Sequence, residues 1–216
     1  MTQSPDLKQR VLAAAGNAPA PTRGQVLRAR AWLFGCGVVG ALAIFFVKGG
    51  LRMTARPPSL VALTSLGTAV LAGAGMYVLF TRGRTMLGRP RLALLGAALL
   101  STLAFLAWKY GVSSFYGLTE RWPTRPGFRC LALSVSMGAL PLCAALLSSR
   151  RAAPFAPIAT GAAFGAGAGL GSTVLVDLWC PVAYLPHLFL GHVLPILVLG
   201  VLGGALGSRL LRFRRV

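Results

Sequence analysis

The residues best suited to chemistry are concentrated in the stretch from Asp177 to His192. It contains a carboxylate, the thiol of Cys180 and both histidines of the chain, the second being His187. Thiolate and imidazole groups bind soft or borderline divalent cations such as Zn²⁺. A metal site formed by Cys180, His187, Asp177 and the distant Cys130 is therefore one interpretation, although the spacing matches no standard zinc motif.

The spacing of the two histidines argues for separate roles. His187 and His192 are five residues apart, whereas side chains on one face of an α-helix are three or four residues apart. We expect His187 at the membrane interface and His192 one turn deeper, hydrogen-bonded within a helix bundle. We expect Asp177 to be solvated or paired with Arg129 or Arg125.

Cys130 and Cys180 stand out among the four cysteines. Among the six membrane spans predicted below, Cys130 begins the fourth and Cys180 ends the fifth, and only residues 149–157 connect these two spans. Two helices joined by so short a turn are predicted to pack antiparallel, which brings both thiols to one end. Because Cys130 follows Arg129 at a helix N-terminus, we expect it to be the more acidic thiol, and Cys180, at a helix C-terminus, the less acidic one.

Three interpretations of this cysteine pair are open. The pair serves reversible redox or regulatory chemistry, forms a permanent disulfide, or stays unbonded, since a disulfide requires Cα atoms within about 7 Å. On an extracytoplasmic side the thiols would meet an oxidising environment. Neither cysteine belongs to a Cys-x-x-Cys motif, which argues against a dedicated thiol oxidoreductase.

Six charge-free apolar segments account for most of the chain. Mean hydropathy is +0.72 and 56% of the residues are hydrophobic, which excludes an ordinary soluble domain. A helix needs roughly 17–25 apolar residues to cross a membrane, and such segments occupy residues 31–47, 57–81, 92–108, 130–149, 152–176 and 178–208. The sequence therefore predicts an all-α polytopic membrane bundle with six transmembrane helices over residues 31–208.

The net charge of +19 reflects 22 Lys and Arg residues against 3 Asp and Glu residues. Most basic residues fall in segments that share a side with both termini. The positive-inside rule therefore places residues 1–30 and the basic tail, residues 209–216, in the cytoplasm. Because this orientation explains the charge, direct binding of nucleic acid is not expected.

The N-terminal segment, residues 1–30, precedes the first apolar stretch. Leu7, Val11 and Leu12 fall on one face of a short predicted helix that begins after Ser4. A helix of this length is marginal by itself in water. Its apolar face is expected to contact the membrane surface or another protein, and the alternative is a frayed tail.

Residues for catalysis are few. The only carboxylates are Asp6, Glu120 and Asp177, and the chain has no phosphate-binding glycine loop and no nucleophile elbow. We therefore expect neither enzymatic activity nor a cofactor.

Glycines such as Gly161 and Gly165 repeat every four residues in the last two segments, a spacing that lets helices approach closely in lipid and is compatible with a homo-oligomer.

Several short motifs together resemble the NrsF family, over about residues 4–213. They are PGFRCL at 126–131, ALP at 139–141, RR at 150–151 followed by Pro154, LWCP at 178–181 and GGALGSRLL at 203–211. The resemblance implies a six-helix inner-membrane anti-sigma factor for extracytoplasmic-function sigma factors. It implies that the N-terminal segment helps to hold the sigma factor and that Cys130 and Cys180 take part in sensing. The chain departs from the family pattern after Pro181, where the histidines occur.

These observations lead to two functional hypotheses. The first is a membrane-bound anti-sigma factor of the bacterial inner membrane, which docks an extracytoplasmic-function sigma factor through the N-terminal apolar face. A periplasmic signal near Cys130 and Cys180 would release it. The alternative is a small membrane transporter, or a membrane protein that handles thiols or metals, with Pro141 and Pro195 as candidate helix breaks.

Overall fold

The described part of the chain is mainly helical and contains no strand. The computed structural model describes residues 9, 23–48, 57–80, 90–116, 127–150, 156–178, 180, 182 and 184–211. Six long helices run through these ranges: α1 Arg23–Val47, α2 Pro58–Phe80, α3 Arg91–Phe115, α4 Phe128–Ser149, α5 Pro157–Asp177 and α6 Leu185–Leu210. The all-α prediction is confirmed. The predicted docking residues Leu7, Val11 and Leu12 lie outside the described residues.

Four of the helices, α3 to α6, are long and apolar enough to cross a membrane. The described parts of α1 and α2 contribute shorter apolar stretches, Ala31–Val47 and Pro58–Leu71. In α1 the apolar stretch starts late because the first two turns of the helix carry Arg23, Arg28 and Arg30. Within the described residues the structure thus provides four spans of full length where the sequence predicts six.

Helix α5 lies at the centre of the bundle and packs against all five other helices. Its most extensive contact is with α6, where glycines on both helices face each other. A methyl group added at Gly165 would overlap the carbonyl of Leu199, and one at Gly161 would overlap the carbonyl of Gly203. The helices approach backbone to backbone because these positions carry no side chain, as the four-residue glycine spacing predicts.

Helix α1 packs mainly on α4. Gly37 makes this contact close, since a Cβ there would lie 2.9 Å from the Cα of Pro141. An apolar cavity of about 380 Å³ opens between α1, α2, α4 and α5. Helix α1 is therefore attached to the bundle chiefly through α4.

The bundle has apolar side chains outside and several polar groups inside. Large apolar residues such as Val70, Leu92 and Val201 are exposed, whereas Lys109 and Asp177 are completely buried. Several buried hydroxyls bond locally within their helices, as Ser172 and Thr173 do to carbonyls three residues earlier. An apolar exterior around a polar interior is the arrangement expected in lipid.

Candidate functional site

Two cysteines and two histidines converge at one end of the bundle. Cys130 lies in the first turn of α4, Cys180 in the connection between α5 and α6, and His187 in the first turn of α6. The fourth member, His192, lies further along α6. All four side chains are buried, and their potential ligand atoms lie within 4.8 Å of one another.

The shortest contacts centre on the two sulfur atoms. The Sγ atoms of Cys130 and Cys180 are 3.6 Å apart. The Nε2 atom of His187 lies 3.1 Å from the Cys180 sulfur and 3.7 Å from the Cys130 sulfur. A disulfide bond is about 2.05 Å long, so Cys130 and Cys180 are not joined by a disulfide. The short connection between α4 and α5 therefore does bring these thiols together.

Two glycines allow α4 to begin against α6. Gly127, directly before α4, has a φ of 103°, a left-handed conformation that glycine adopts without strain. A Cβ on Gly191 of α6 would lie 2.9 Å from the Cβ of Cys130. The absence of side chains at Gly127 and Gly191 thus lets Cys130 approach the histidine-bearing turns of α6.

A π-helical turn, Phe189–Val193, changes the register of α6. The N–H of Leu194 donates to the carbonyl of Phe189, five residues earlier. Pro195 has no N–H to donate to the carbonyl four residues before it, and such a missing bond favours a local widening of the helix. In a π turn, residues five apart lie on the same side of the helix.

The two histidines therefore face the same site. The ring centroids of His187 and His192 are 5.6 Å apart. The prediction that they occupy different faces is wrong, because it assumes a regular α-helix. His192 is completely buried, as a position deeper in the bundle predicts, and neither ring nitrogen has a hydrogen-bond partner of standard geometry among the described residues.

Asp177 has a different partner from those that the sequence suggests. Its carboxylate forms an ion pair with the ammonium of Lys109, and both groups are buried. The pair joins the last turn of α5 to α3. The expectation that Asp177 is solvated is wrong, because the side chain is completely buried, and Lys109 is a partner that the sequence did not suggest; Arg125 lies outside the described residues. The structure also does not bring Asp177 into the cysteine–histidine cluster.

The acidity of Cys180 depends on groups that other helices contribute and not only on its place at a helix end. A hydrogen bond from the Cys130 thiol is the largest influence and holds the pKa of Cys180 well below its ordinary value. Burial acts in the opposite direction, and the hydrogen bond with His187 lowers the pKa further. The expectation considered only the helix end and not the groups that other helices contribute.

The remaining cysteines lie away from this cluster. Cys36 in α1 and Cys143 in α4 are free and exposed on the helix surface. Sequence reasoning missed Lys109, and it did not include His192 among the candidate metal ligands. The sequence does carry one signal for His192, since Gly191 and Pro195 flank it, and this combination favours an irregular turn.

The profile of the NrsF family, described as negative regulator of sigma F, matches residues 13–213. No curated protein and no solved structure gives a significant match to the chain. The family match extends over nearly the whole chain and includes all four residues of the cysteine–histidine cluster. The chain accordingly belongs to the NrsF family of negative regulators of sigma F.

Proposed function

We propose that this negative regulator is a membrane-bound anti-sigma factor of the bacterial inner membrane, and that it releases an extracytoplasmic-function sigma factor when a periplasmic signal alters Cys130 and Cys180. The observation that carries this proposal is the buried pair of sulfur atoms 3.6 Å apart, which no disulfide joins. Two thiols at that distance can change their bonding state with a small movement of the helices that hold them.

The lengths of α1 and α2 support six membrane spans. Helix α2 has 23 residues, which correspond to about 34 Å at 1.5 Å per residue and exceed the hydrocarbon thickness of about 30 Å. The apolar part of α1, Ala31–Val47, is at the lower end of the roughly 17–25 residues that a crossing needs. With six antiparallel spans, both termini lie on one side, and the basic residues assign that side to the cytoplasm. The cysteine–histidine cluster is then at the periplasmic end.

Helix α1 offers a physical connection between the thiols and the N-terminal segment. Ala41 and Phe45 of α1 belong to the same buried apolar cluster as Cys130 and Cys180. The other end of α1 continues directly from the segment that contains the proposed docking face. A shift of α4 at Cys130 would move α1 through this packed contact, and the position of α1 would set how the N-terminal segment is presented.

The free energy of forming one disulfide is large enough to drive release of the sigma factor. Forming a disulfide would bring the two sulfurs closer by about 1.5 Å, to a bond length of about 2.05 Å. Disulfides contribute typically about 2–4 kcal/mol. If the disulfide stabilises the releasing conformation relative to the sigma-binding conformation by this amount, the ratio of the two populations changes by about 30- to 700-fold.

The docking face can be tested by co-purification from crosslinked bacterial membranes, with the bound sigma factor identified by mass spectrometry. Leu12→Asp should abolish retention of the sigma factor because it places a charge in the apolar contact. Gln9→Asp, at an exposed position, is the matched control and should retain it. Equal retention by both variants would exclude docking through this face.

The sensing role is tested separately in cells. Cys130→Ser should abolish signal-dependent expression from promoters of the sigma factor, whereas Cys143→Ser, a cysteine of the same helix outside the cluster, should respond as the parent chain does. An unchanged response in Cys130→Ser would remove the sensing step and leave the sigma-binding step standing.

Transport is the second candidate, and the buried pair of Lys109 and Asp177 favours it. Ionisable residues inside a membrane bundle often mark the path of an ion or substrate. Uptake of a metal ion or a thiol compound by vesicles that contain the purified protein would support this alternative. Retention of a sigma factor with no uptake would exclude it.

A further inference from the structure

We infer that Cys130, Cys180, His187 and His192 together form a binding site for one tetrahedral divalent metal ion, with Zn²⁺ as the best match. The inference rests on the proposed function in one respect, since it assigns a ligand to the site proposed to sense the signal. Metal binding itself is argued from the geometry, burial and charge of the four residues.

The observed distances approach those of a zinc coordination sphere. With Zn–S and Zn–N bonds of about 2.3 and 2.05 Å, a tetrahedral ion separates two sulfurs by about 3.8 Å and a sulfur from a nitrogen by about 3.6 Å. The corresponding separations here are 3.6 Å between the sulfurs, and 3.1 and 3.7 Å from them to the Nε2 atom of His187. The contacts among Cys130, Cys180 and His187 therefore already have the dimensions of one face of the tetrahedron.

His192 supplies the fourth corner. Its ligand atom lies within 4.8 Å of the other three. A tetrahedral zinc site separates a sulfur from a nitrogen by about 3.6 Å, so the His192 ring has to move by about 1 Å to coordinate the ion. The imidazole is completely buried, and neither nitrogen has a hydrogen-bond partner among the described residues. A buried polar group normally has a partner, and coordination of a metal ion would provide one for His192.

Charge balance also favours this ion. Binding of Zn²⁺ to two thiols and two neutral imidazoles releases two protons, and the resulting complex of two thiolates, two imidazoles and one divalent ion carries no net charge. A neutral complex suits a site in which all four ligands are buried, because an uncompensated charge there is unfavourable. The neighbouring pair of Lys109 and Asp177 is neutral as well and leaves this balance unchanged.

The ligand types select the class of metal. Sulfur and imidazole ligands in tetrahedral geometry favour zinc over Mg²⁺ or Ca²⁺, which prefer oxygen. Four protein ligands leave no open position for substrate, so the site is structural or regulatory in kind and not catalytic. A bound ion would hold α4, the connection after α5 and the π turn of α6 together.

A disulfide explains fewer of these observations. It would use Cys130 and Cys180 alone and give no role to the two histidines that the π turn brings to the same site. Because both states require the same sulfur atoms, the metal-bound and disulfide-bonded forms exclude each other. Zinc binding by reduced protein and its loss in protein with a Cys130–Cys180 disulfide are therefore both expected.

The test uses the full-length protein in detergent micelles, reduced and freed of metal with a chelator. Zn²⁺ content after dialysis should reach one ion per chain, and Co²⁺ should give the absorption spectrum of a tetrahedral sulfur–nitrogen site. His192→Ala and Cys130→Ser should each weaken binding more than about tenfold, because loss of a direct ligand should exceed the effect of an outer-shell partner. Cys143→Ser and Cys36→Ser are the matched controls and should bind like the parent chain.

The outcomes separate this inference from the proposed function. Absence of Zn²⁺ and Co²⁺ binding by folded parent protein, or equal binding by His192→Ala, would overturn the metal site. If zinc binds while no sigma factor co-purifies from the same membranes, the metal site stands and the proposed function fails. If a sigma factor co-purifies and no zinc binds, only the metal site fails. Thermal unfolding of each variant identifies any loss of binding that is due to misfolding.

Discussion

Helices α5 and α6 meet in two regions of different chemistry. Along most of their shared length, glycines such as Gly161 and Gly165 bring the two backbones into direct contact. At the end that includes Asp177 and Cys180, polar and sulfur-containing side chains from four helices fill the space. At Gly161 and Gly165 the contact leaves no room for a side chain, so this part of the interface should keep one packing arrangement. The polar end consists of groups that can change partners, so conformational change should be confined to it.

The polar end should be the more sensitive region to loss of a single partner. Lys109→Leu removes the buried counter-charge of Asp177, which should lower the free energy of unfolding by about 3–5 kcal/mol. The double variant Lys109→Leu with Asp177→Leu should recover most of the loss, since it removes both charges. Denaturation in mixed micelles measures both, and Lys48→Leu, an exposed position, should change stability by less than about 0.5 kcal/mol.

A different result would weaken the distinction between the two regions. If the single and double variants unfold at the same denaturant concentration, the ion pair is not what stabilises this end. The apolar contacts around it would then be responsible, and the polar end would behave as ordinary core.

The glycine region should be sensitive to added volume instead. Gly165→Ala puts a methyl group onto the backbone of Leu199, which can yield only if α5 and α6 separate. Overpacking of this kind destabilises typically by about 1–3 kcal/mol. Gly171→Ala is the matched control: it lies in the same helix, has nothing within 4 Å of the new methyl group, and should be neutral or slightly stabilising. Equal unfolding of the two variants would show that the close approach is not required.

The sequence is sufficient for the parts of the fold that depend on local pattern. Apolar segments predict the helices, and the four-residue glycine repeat predicts the backbone contact of α5 with α6. The short connection after α4 predicts that Cys130 and Cys180 share an end. Each of these inferences uses residues that are close in the chain or helices that are joined by a short turn.

The rest of the site depends on features that no local pattern contains. Lys109 and Asp177 are 68 residues apart and on helices that are not consecutive, so their pairing requires knowledge of the packing. His192 joins the cluster only because α6 widens into a π turn before Pro195. The sequence spacing of five therefore misleads when a regular α-helix is assumed.

The smallest effect is expected where the two regions meet, at Gly191. A methyl group there would lie 2.9 Å from the Cβ of Cys130, so α4 and the π turn must separate by a few tenths of an ångström. Stability should fall by no more than about 1 kcal/mol, whereas the affinity for Co²⁺ should fall severalfold, because the Cys130 sulfur moves away from the histidines. Gly200→Ala on the same helix, where the nearest atom would be at an ordinary 3.7 Å, should affect neither quantity.

If Gly191→Ala lowers stability as much as Gly165→Ala and leaves Co²⁺ affinity unchanged, then Gly191 belongs to the rigid glycine region and not to the polar end. The boundary between the two regions would then lie closer to His187.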